Sequence, residues 1–362
     1  QGGGNGGRGL GSGSGGSQVI INGKRTAGKN NQTSGQMDRI TADQVDYIEI
    51  IRGTSGELDV RGSSQVVNVV LFEELVSNSL SFEANVDRYL DHDTAPGGSL
   101  AYSGQNGGLN YVLSATAEPR YDHRVSKETS VLGDFSLNDE VREERIREQD
   151  SYDLSVNLDY EIGLKSSARL NALYSQNDNP TDVLRYTTDF RVSPSATAIE
   201  REEIPGNRDN WEIGGDYEYV TDSGSRFKFL FISNRNDGAS TRERFDVLAD
   251  GSASKDLFLD LASTTTERIV RASFTTAFLE DQDIEFGAER AQTTLDSSLA
   301  LGLPDSTGTP TADFGGLVPQ NVSNANSTVE EIRLEPFIIH NWNINSRTSL
   351  ESTLLYELSE IS

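Results

Sequence analysis

The chain has 362 residues, of which 35% are hydrophobic, and its 57 acidic residues outnumber 31 basic ones to give a formal net charge of −26. This charge argues against nucleic-acid binding, because a phosphate backbone is bound by clustered lysine and arginine. Cysteine is absent, which excludes disulfide bonds and cysteine-ligated zinc or iron–sulfur centres. The hydrophobic fraction is low for a water-soluble core of this size, but it is expected of strands with one face in lipid and the other in a wet lumen.

Residues 1–17 are mostly glycine and serine, and we expect a flexible linker there. These glycines do not form a phosphate loop, since no apolar strand precedes them and no GK[ST] follows. The chain begins with Gln1 and its only methionine is Met37, so we expect a processed chain or a fragment of a longer protein. No run of about 18 apolar residues occurs, and no transmembrane helix is expected.

The next segment, residues 18–75, predicts a small folded module. Three short apolar strands are expected at residues 19–21, 47–51 and 66–71. Turns rich in glycine, asparagine and serine separate them, together with a helix-like run at residues 36–40.

From Leu80 onward, apolar residues recur at every second position, which is the pattern of a sheet with two unlike faces. The clearest case is residues 152–162, where six apolar side chains alternate with aspartate, serine, asparagine and glutamate. About eleven strands long enough to cross a membrane are predicted in this way. The others include residues 80–86, 109–115, 168–174, 211–219, 227–231, 270–278, 284–288, 332–338 and 350–356.

Tight turns alternate with long polar segments along this part of the chain. A soluble sandwich usually turns every 8–12 residues at both ends, whereas bacterial outer-membrane barrels have short turns at one end and long loops at the other. We therefore predict long outer loops, with some strands running past the bilayer, because residues 182–191 and 196–203 still alternate. The turns are at 104–108, 163–165, 222–225, 280–283 and 343–346, and the long segments are at 124–150, 177–208, 236–265 and 298–327.

Aromatic residues cluster beside the tight turns, on the apolar phase of their strands. Such rings form the girdle of membrane barrels at the lipid–water boundary. The alternative is the ordinary enrichment of strands in tyrosine and phenylalanine. The residues are Tyr160, Tyr217, Tyr219, Phe227, Phe229 and Trp342.

The module at residues 18–75 resembles the plug domain of TonB-dependent outer-membrane receptors. The matching segments are QVIINGKR at 18–25, QMDRITADQVDYIEIIRG at 36–53, GELDVRG at 56–62 and VVNVVL at 66–71. Their order and spacing agree with the family, and the barrel pattern follows where the family has it. Thr54 stands where the family usually has proline, and residues 63–65 replace its glycine-rich turn.

The resemblance implies a mostly β fold: a transmembrane antiparallel β-barrel with a small α+β N-terminal plug. It divides the chain into a Gly/Ser-rich segment at 1–17, the C-terminal part of a plug at 18–75 and a partial barrel with long extracellular loops at 76–362. Family barrels have 22 strands, so the eleven counted here imply a fragment. The TonB box is expected outside this chain, as are the strands that would cover the sheet edges.

The resemblance also implies a function, which is active transport rather than catalysis. Such a receptor takes up a scarce solute (siderophore, vitamin, glycan or peptide) across the cell outer membrane of a Gram-negative bacterium. Its partners are TonB with the inner-membrane energy-coupling complex, outer-membrane lipid and the small solute, and it needs no cofactor. No catalytic triad or nucleophile elbow can be argued from the residues. The alternatives are a passive porin, which has no need of a plug, and a surface binding or adhesion protein that uses the long loops.

Charged residues of the plug segment are implied by the resemblance to hold the plug against the inner barrel wall. We name Glu49, Arg52 and Arg61 as this latch, with partners among inward-facing carboxylates; the alternative is surface ion pairs worth about 0–1 kcal/mol. The expected wall partners are Asp153, Asp159 and Glu212. Glycines that serve the backbone geometry of plug turns are Gly23, Gly53 and Gly62.

Two further groups of residues are weighed as binding sites. His92, within Asp91–Asp93, and His123 could serve a hard metal or an iron chelate, but nothing has metal-ligand spacing, and we predict solvated loops and no metal. Residues 139–148, DEVREERIRE, could form an acidic patch for a cationic ligand. Their signs alternate, which favours a solvated strand extension or a short loop helix.

Overall fold

A computed structural model describes residues 18–21, 45–52, 65–71, 78–345 and 348–362. These residues form nineteen strands and a single 3-10 helix, Ala312–Phe314. In the described ranges, no helix is both long and apolar enough to cross a membrane. The strands are β1 Gln18–Ile21, β2 Val45–Arg52, β3 Gln65–Leu71, β4 Asn78–Arg88, β5 Thr94–Asn106, β6 Leu109–Ala117, β7 Arg120–Val131, β8 Leu137–Ile162, β9 Ser166–Asp178, β10 Thr181–Asp189, β11 Ala196–Ile204, β12 Gly206–Val220, β13 Arg226–Val247, β14 Ala253–Leu279, β15 Gln282–Leu303, β16 Val318–Pro319, β17 Asn326–Asn345, β18 Thr348–Leu355 and β19 Leu358–Ile361.

The first three strands form a small sheet of their own. β3 lies between β1, which is parallel to it, and β2, which is antiparallel. Ile20 of β1 is fully buried and Val69 of β3 is nearly so. All three strands predicted in the opening module are thus confirmed. The predicted linker at 1–17 and the helix-like run at 36–40 lie outside the described residues.

The other sixteen strands form one sheet in which every pairing is antiparallel. Eleven of them pair one after the next, in the order β4, β5, β6, β8, β9, β12, β13, β14, β15, β17, β18. This matches the predicted number of long strands, and the mostly β, antiparallel fold class is confirmed. Among the residues described, β4 and β18 each pair on one side only.

The predicted tight turns join neighbouring long strands. Gly107, Gly108 and Gly163 have φ values of 55°, 83° and 70°, in the left-handed region that glycine adopts without strain. Asp281 has a φ of 58° in the turn between β14 and β15. The turns at 104–108, 163–165, 222–225 and 280–283 are confirmed, whereas that at 343–346 extends beyond the described residues.

Most residues of the expected long loops form paired strands instead. Residues 124–150 lie mainly in β7 and β8, 177–208 in β9 to β12, and 236–265 in β13 and β14. The connections are reduced to 132–136, 190–195 and 248–252, and only 304–325 stays largely irregular. The physical reason is that many charges on these strands form cross-strand ion pairs, such as Arg185 with Glu143 and Lys255 with Glu243, so the strands can pair without an apolar face. Residues 139–148 belong to β8, which confirms the predicted strand extension.

The two faces of the large sheet differ in polarity near the tight turns. We call the face that carries Ser155, Asn171, Glu212, Asn234 and Glu289 the inner face, because all five polar side chains are buried. Adjacent positions point the other way: Trp211 is 40% exposed, whereas Glu212 is 2% exposed. The exposed outer face carries large apolar side chains, including Leu154, Tyr217, Phe227, Phe229, Phe286, Leu334 and Ile338.

The polarity of the hairpin formed by β14 and β15 reverses away from its tight turn. Near the turn, Ala272 and Phe274 lie on the outer face, while Arg271 and Ser273 lie on the inner face. The register with β15 is continuous from Phe258 to Ala277, so the alternation is unbroken. At the far end the inner positions are therefore Leu259 and Leu261 on β14 and Leu299 and Leu301 on β15. The outer positions there are Asp260, Ala262, Asp296, Ser298 and Ala300.

Candidate functional site

Buried ion pairs line the inner face near the tight turns. Arg169 and Asp216 are direct cross-strand partners, and their side chains are 8% and 2% exposed. Arg169 Nε donates to Asp216 Oδ1 at 3.0 Å, and Arg169 Nη2 lies 2.6 Å from Asp216 Oδ2. Two opposite charges in this forked geometry compensate each other's loss of water. This part of the wall is polar, and the charges of Arg169 and Asp216 are paired with each other.

A second network of the inner face includes an aromatic ring. Arg333 Nη2 donates to Glu289 Oε1 at 3.3 Å, and Arg271 Nη1 lies 3.8 Å from Glu289 Oε2. The Arg271 guanidinium also lies over the Phe337 ring, 4.4 Å from its centroid. Stacking and ion pairing together fix the Arg271 side chain against the wall.

Farther from the tight turns, the inner face carries a group that we call the arginine cluster, which consists of Glu143, Arg185, Glu200, Glu202, Arg242 and Arg244. Arg185 Nη2 donates to Glu143 Oε2 at 2.6 Å. Arg242 donates two hydrogen bonds to Glu202, from Nε at 3.0 Å and from Nη2 at 2.7 Å. Arg244 bonds Asp256 at 2.7 Å and lies 3.7 Å from Glu200. Four strands contribute to this cluster: β8, β10, β11 and β13.

Within the arginine cluster the cations are more exposed than the anions that hold them. The Arg242 side chain is 41% exposed, whereas that of its partner Glu202 is 4% exposed. Arg185 and Arg244 are also more exposed than their closest carboxylates. The Arg242 guanidinium is therefore open to a dissolved solute, and guanidinium groups bind carboxylate and phosphate with a forked geometry. This cluster cannot be recognised from the sequence, because its members are brought together only by strand pairing.

The predicted latch residues are described only in part. Glu49 lies exposed on β2 and accepts a hydrogen bond from Asn68 Nδ2 of β3 at 3.4 Å. Arg52 ends β2, whereas Arg61, Gly23, Gly53 and Gly62 lie outside the described residues. The expected wall partner Glu212 is buried on the inner face, and strand alternation puts Asp153 and Asp159 on the face of Ser155. The latch itself stays a prediction.

The two histidines weighed as metal ligands are not brought together as a chelating pair. His123 Nδ1 lies 2.7 Å from Asp91 Oδ2, and His123 Nε2 lies 2.8 Å from Glu144 Oε1. Tyr121 donates its hydroxyl hydrogen to the same Asp91 oxygen at 2.5 Å. His92 instead lies 3.4 Å from Arg88 Nη2. With both ring nitrogens occupied by carboxylates, His123 joins the β4–β5 turn to the β7–β8 hairpin.

We expect the pKa of His123 to lie above 6.5, because the hydrogen bonds to Asp91 and then Glu144 favour the imidazolium. These two hydrogen bonds therefore contribute fully to the stability of the folded state below about pH 6.5. Their contribution is lost as the pH rises through the raised pKa of His123. NMR titration of the His123 ring protons measures this value. Asp91→Asn should move the pKa back toward 6.5, and an unchanged pKa in that variant would contradict the assigned contact.

Three carboxylates from neighbouring strands come within 4.8 Å of one another: Glu200, Asp246 and Asp256. Arg244 already provides a positive charge there, through its bond to Asp256 at 2.7 Å and its approach to Glu200 at 3.7 Å. This guanidinium offsets part of the negative charge and already occupies oxygens of Asp256 that a metal ion would need. We assign no metal site to this group.

Comparison with known proteins finds similarity only among solved structures: no protein-family model and no curated protein matches. The siderophore receptor PiuA from Acinetobacter baumannii is 9% identical, with a TM-score of 0.26, and the match covers 95% of this chain and 68% of PiuA. The unliganded ferric citrate transporter FecA is 10% identical (TM-score 0.29), and the match covers 95% of this chain and 65% of FecA. The ferric yersiniabactin uptake receptor FyuA from Yersinia pestis is 9% identical (TM-score 0.31), and the match covers 95% of this chain and 59% of FyuA.

All three are described as receptors or transporters. The chain spans less than two thirds of the length of FecA and FyuA. With identities of 10% or less and TM-scores of 0.31 or less, the similarity carries no argument about the solute or activity of this chain.

Proposed function

We propose that this chain is part of a TonB-dependent outer-membrane receptor that takes up a scarce solute by active transport. The observation that carries the proposal is the polarity of the large sheet, with Glu212 buried inside and Trp211 exposed outside. In water, both faces would be unfavourable, because apolar rings would stay hydrated while charged groups lost their water. In a bilayer, the same arrangement places the rings in lipid and the charges in a lumen.

The limits of the apolar outer band support a membrane of ordinary thickness. Phe278, Thr276, Phe274, Ala272 and Val270 follow one another on the outer face of β14, above the tight turn. The exposed Arg268 comes next on β14, and the exposed Arg290 of β15 is the cross-strand partner of Val270. Transmembrane strands need about 9–11 residues, and the distance from Phe278 to Arg268 is of that order. Long arginine side chains at such a level can reach the headgroups.

In the proposed receptor, the small sheet of β1, β2 and β3 belongs to the plug. Glu49, Arg52 and Arg61 would hold it to carboxylates of the inner wall, and TonB would supply the pull that releases it. Polar contacts suit this role, because water can replace a hydrogen bond or a surface ion pair at little net cost. Siderophores, vitamins, glycans and peptides all remain solute classes for such a receptor.

The uptake test separates active transport from a passive porin. In cells that carry the intact gene, we expect solute accumulation to fall to the level of a deletion strain when TonB is deleted or when an uncoupler removes the proton-motive force. Growth of the deletion strain on iron chelates, vitamins, glycans and peptides identifies the solute to be labelled. Uptake that is unchanged without TonB would favour a porin, and solute binding at the cell surface without uptake would favour an adhesion protein.

A further inference from the structure

The reversal of polarity on β14 and β15 leaves a patch of leucines on the inner face, above the proposed lipid band. Leu259 pairs directly with Leu301, and Leu261 with Leu299, so the four side chains form a compact block that we call the leucine patch. Leu261 is 41% exposed. Apolar surface in this position is unfavourable in water, and a ligand that covers it with an apolar group is stabilised by removing that surface from water.

The leucine patch is directly adjacent to the arginine cluster. Arg242 of β13 is the cross-strand partner of Leu259, and Arg244 is the partner of Leu257, which lies next in line on the same face. Cross-strand partners have Cβ atoms about 4.5–5.5 Å apart. A ligand lying across β13 and β14 would therefore touch leucine with one end and a guanidinium with the other.

At the polar end, the group next to the leucine patch is the Arg242 guanidinium, whose side chain is 41% exposed. Glu202 is buried beneath Arg242, whose guanidinium keeps much of its surface exposed while two of its hydrogen bonds hold the carboxylate. The guanidinium has five N–H donors, so it can bind an anion without releasing Glu202. A cationic head would be repelled by Arg242, and an uncharged head would gain no ion pair.

We propose that this part of the inner face binds an anionic amphiphile, with its apolar chain on the leucine patch and its carboxylate on Arg242. The proposal rests on the proposed function and deepens it, since it names the chemical class of solute that enters the receptor. This occupant has two unlike ends, which match the leucines and the exposed Arg242 guanidinium that lie side by side on β13 and β14. A glycan would leave the leucines without an apolar partner.

The test measures saturable binding of radiolabelled laurate to the full chain in nanodiscs of zwitterionic lipid, with empty nanodiscs as the background. Leu261→Asn should weaken laurate binding by about tenfold or more, because a leucine side chain loses its apolar contact. The matched control is Ala300→Asn, which introduces the same side chain on the outer face of the paired strand and should leave binding unchanged. Equal effects of the two variants would overturn the proposal.

The head group is tested separately. Arg242→Gln should weaken laurate binding by about tenfold, and Arg242→Lys by less, because a charged hydrogen bond is lost in the first variant and a point charge is kept in the second. Dodecyltrimethylammonium should not compete with laurate. Competition by this cation, or full binding by Arg242→Gln, would contradict an anionic head group. Thermal unfolding of each variant confirms that it is folded, and Leu261→Asn tests the site without touching the ion pairs.

The remaining outcomes separate this inference from the proposed function. If laurate fails to bind the unaltered chain, the inference is wrong, and it is equally wrong if Leu261→Asn changes only the oligomeric state, which would assign the patch to a second copy. TonB-dependent uptake of another solute, without laurate binding, would contradict this inference and leave the proposed function supported. Laurate binding with uptake that ignores TonB would support the inference and contradict the proposed function.

Discussion

Arginine in place of Ala272 should lower the free energy of unfolding by about 2–4 kcal/mol when the chain is folded into phosphatidylcholine vesicles, since Ala272 lies on the outer face within the proposed lipid band. An arginine there has to be buried in hydrocarbon or to deform the bilayer locally. On the surface of a water-soluble sheet, the same substitution would change stability by about 0.5 kcal/mol or less. Urea unfolding, followed by the fluorescence of the chain's two tryptophans, gives the free energy.

The matched control is Ala262→Arg on the same face of the same strand, ten residues from Ala272 and beyond the reversal of polarity. Its neighbours Ser298 and Ala239 are small, and it is expected in water, so the cost should be at most about 1 kcal/mol. Equal costs at the two alanines would remove the evidence for a lipid band. A large loss of stability at Ala262 alone would place the membrane at the end of the hairpin away from its tight turn, which contradicts the proposed lipid band.

Replacing Arg169 by methionine should destabilise the chain by about 3–5 kcal/mol, because Asp216 would be left as an uncompensated buried charge. The loss of stability comes mainly from burying the Asp216 carboxylate without a cation, rather than from losing its attraction to Arg169. Asp216→Leu together with Arg169→Met should therefore recover part of the stability, while Asp159, the other cross-strand partner of Arg169, still loses its neighbouring cation. Urea unfolding of both single variants and the double variant in lipid vesicles measures the coupling between them.

The Lys165–Asp222 pair provides the control, because it lies at the tight turns and both side chains are largely exposed. Lys165→Met should cost at most about 1 kcal/mol, as water solvates Asp222 when its partner is removed. If Arg169→Met proved as mild as Lys165→Met, water would have to reach Asp216 freely, and the wall would be less closely packed than its burial indicates.

These ion pairs would keep the barrel wall rigid while the plug moves in the proposed transport cycle. A wall that surrounds a moving plug must keep its own charges paired, or each movement would expose a buried ion. Direct cross-strand partners such as Arg169 and Asp216 need no residue of the plug for compensation. The wall can therefore stay fixed while weaker contacts, such as those proposed for Glu49, break and re-form.

Much of the fold follows from the sequence, because its causes are local. Alternation with a period of two determines which residues of a strand share a face, and glycine at positions such as Gly107 determines where the chain turns. The strands of the small sheet and the eleven long strands could be predicted for this reason. The opposite polarity of the two faces also follows from the sequence, because apolar and polar side chains alternate in residues 152–162.

The paired strands in the expected loops depended on tertiary structure. Their residues are too polar to predict a buried face, and only the partner strand shows that Arg185 meets Glu143 and Glu200. The same holds for His123, whose partners Asp91 and Glu144 lie on either side of it in sequence. A charge pattern by itself does not determine which carboxylate each cation will meet, since that choice depends on register.

The amphipathic strands, their turns and the resemblance to a plug were thus determined by the sequence alone, through periodicity, turn chemistry and matching segments. The tertiary structure decided where the faces exchange polarity and what lies beside them. Leu259 and Leu261 flank a polar residue just as Ala272 and Phe274 do, yet the continuous register of β14 with β15 puts the two sets on opposite faces. Only the pairing of β13 with β14 brings Arg242 next to Leu259, because cross-strand neighbours are chosen by hydrogen-bond register and not by distance along the chain.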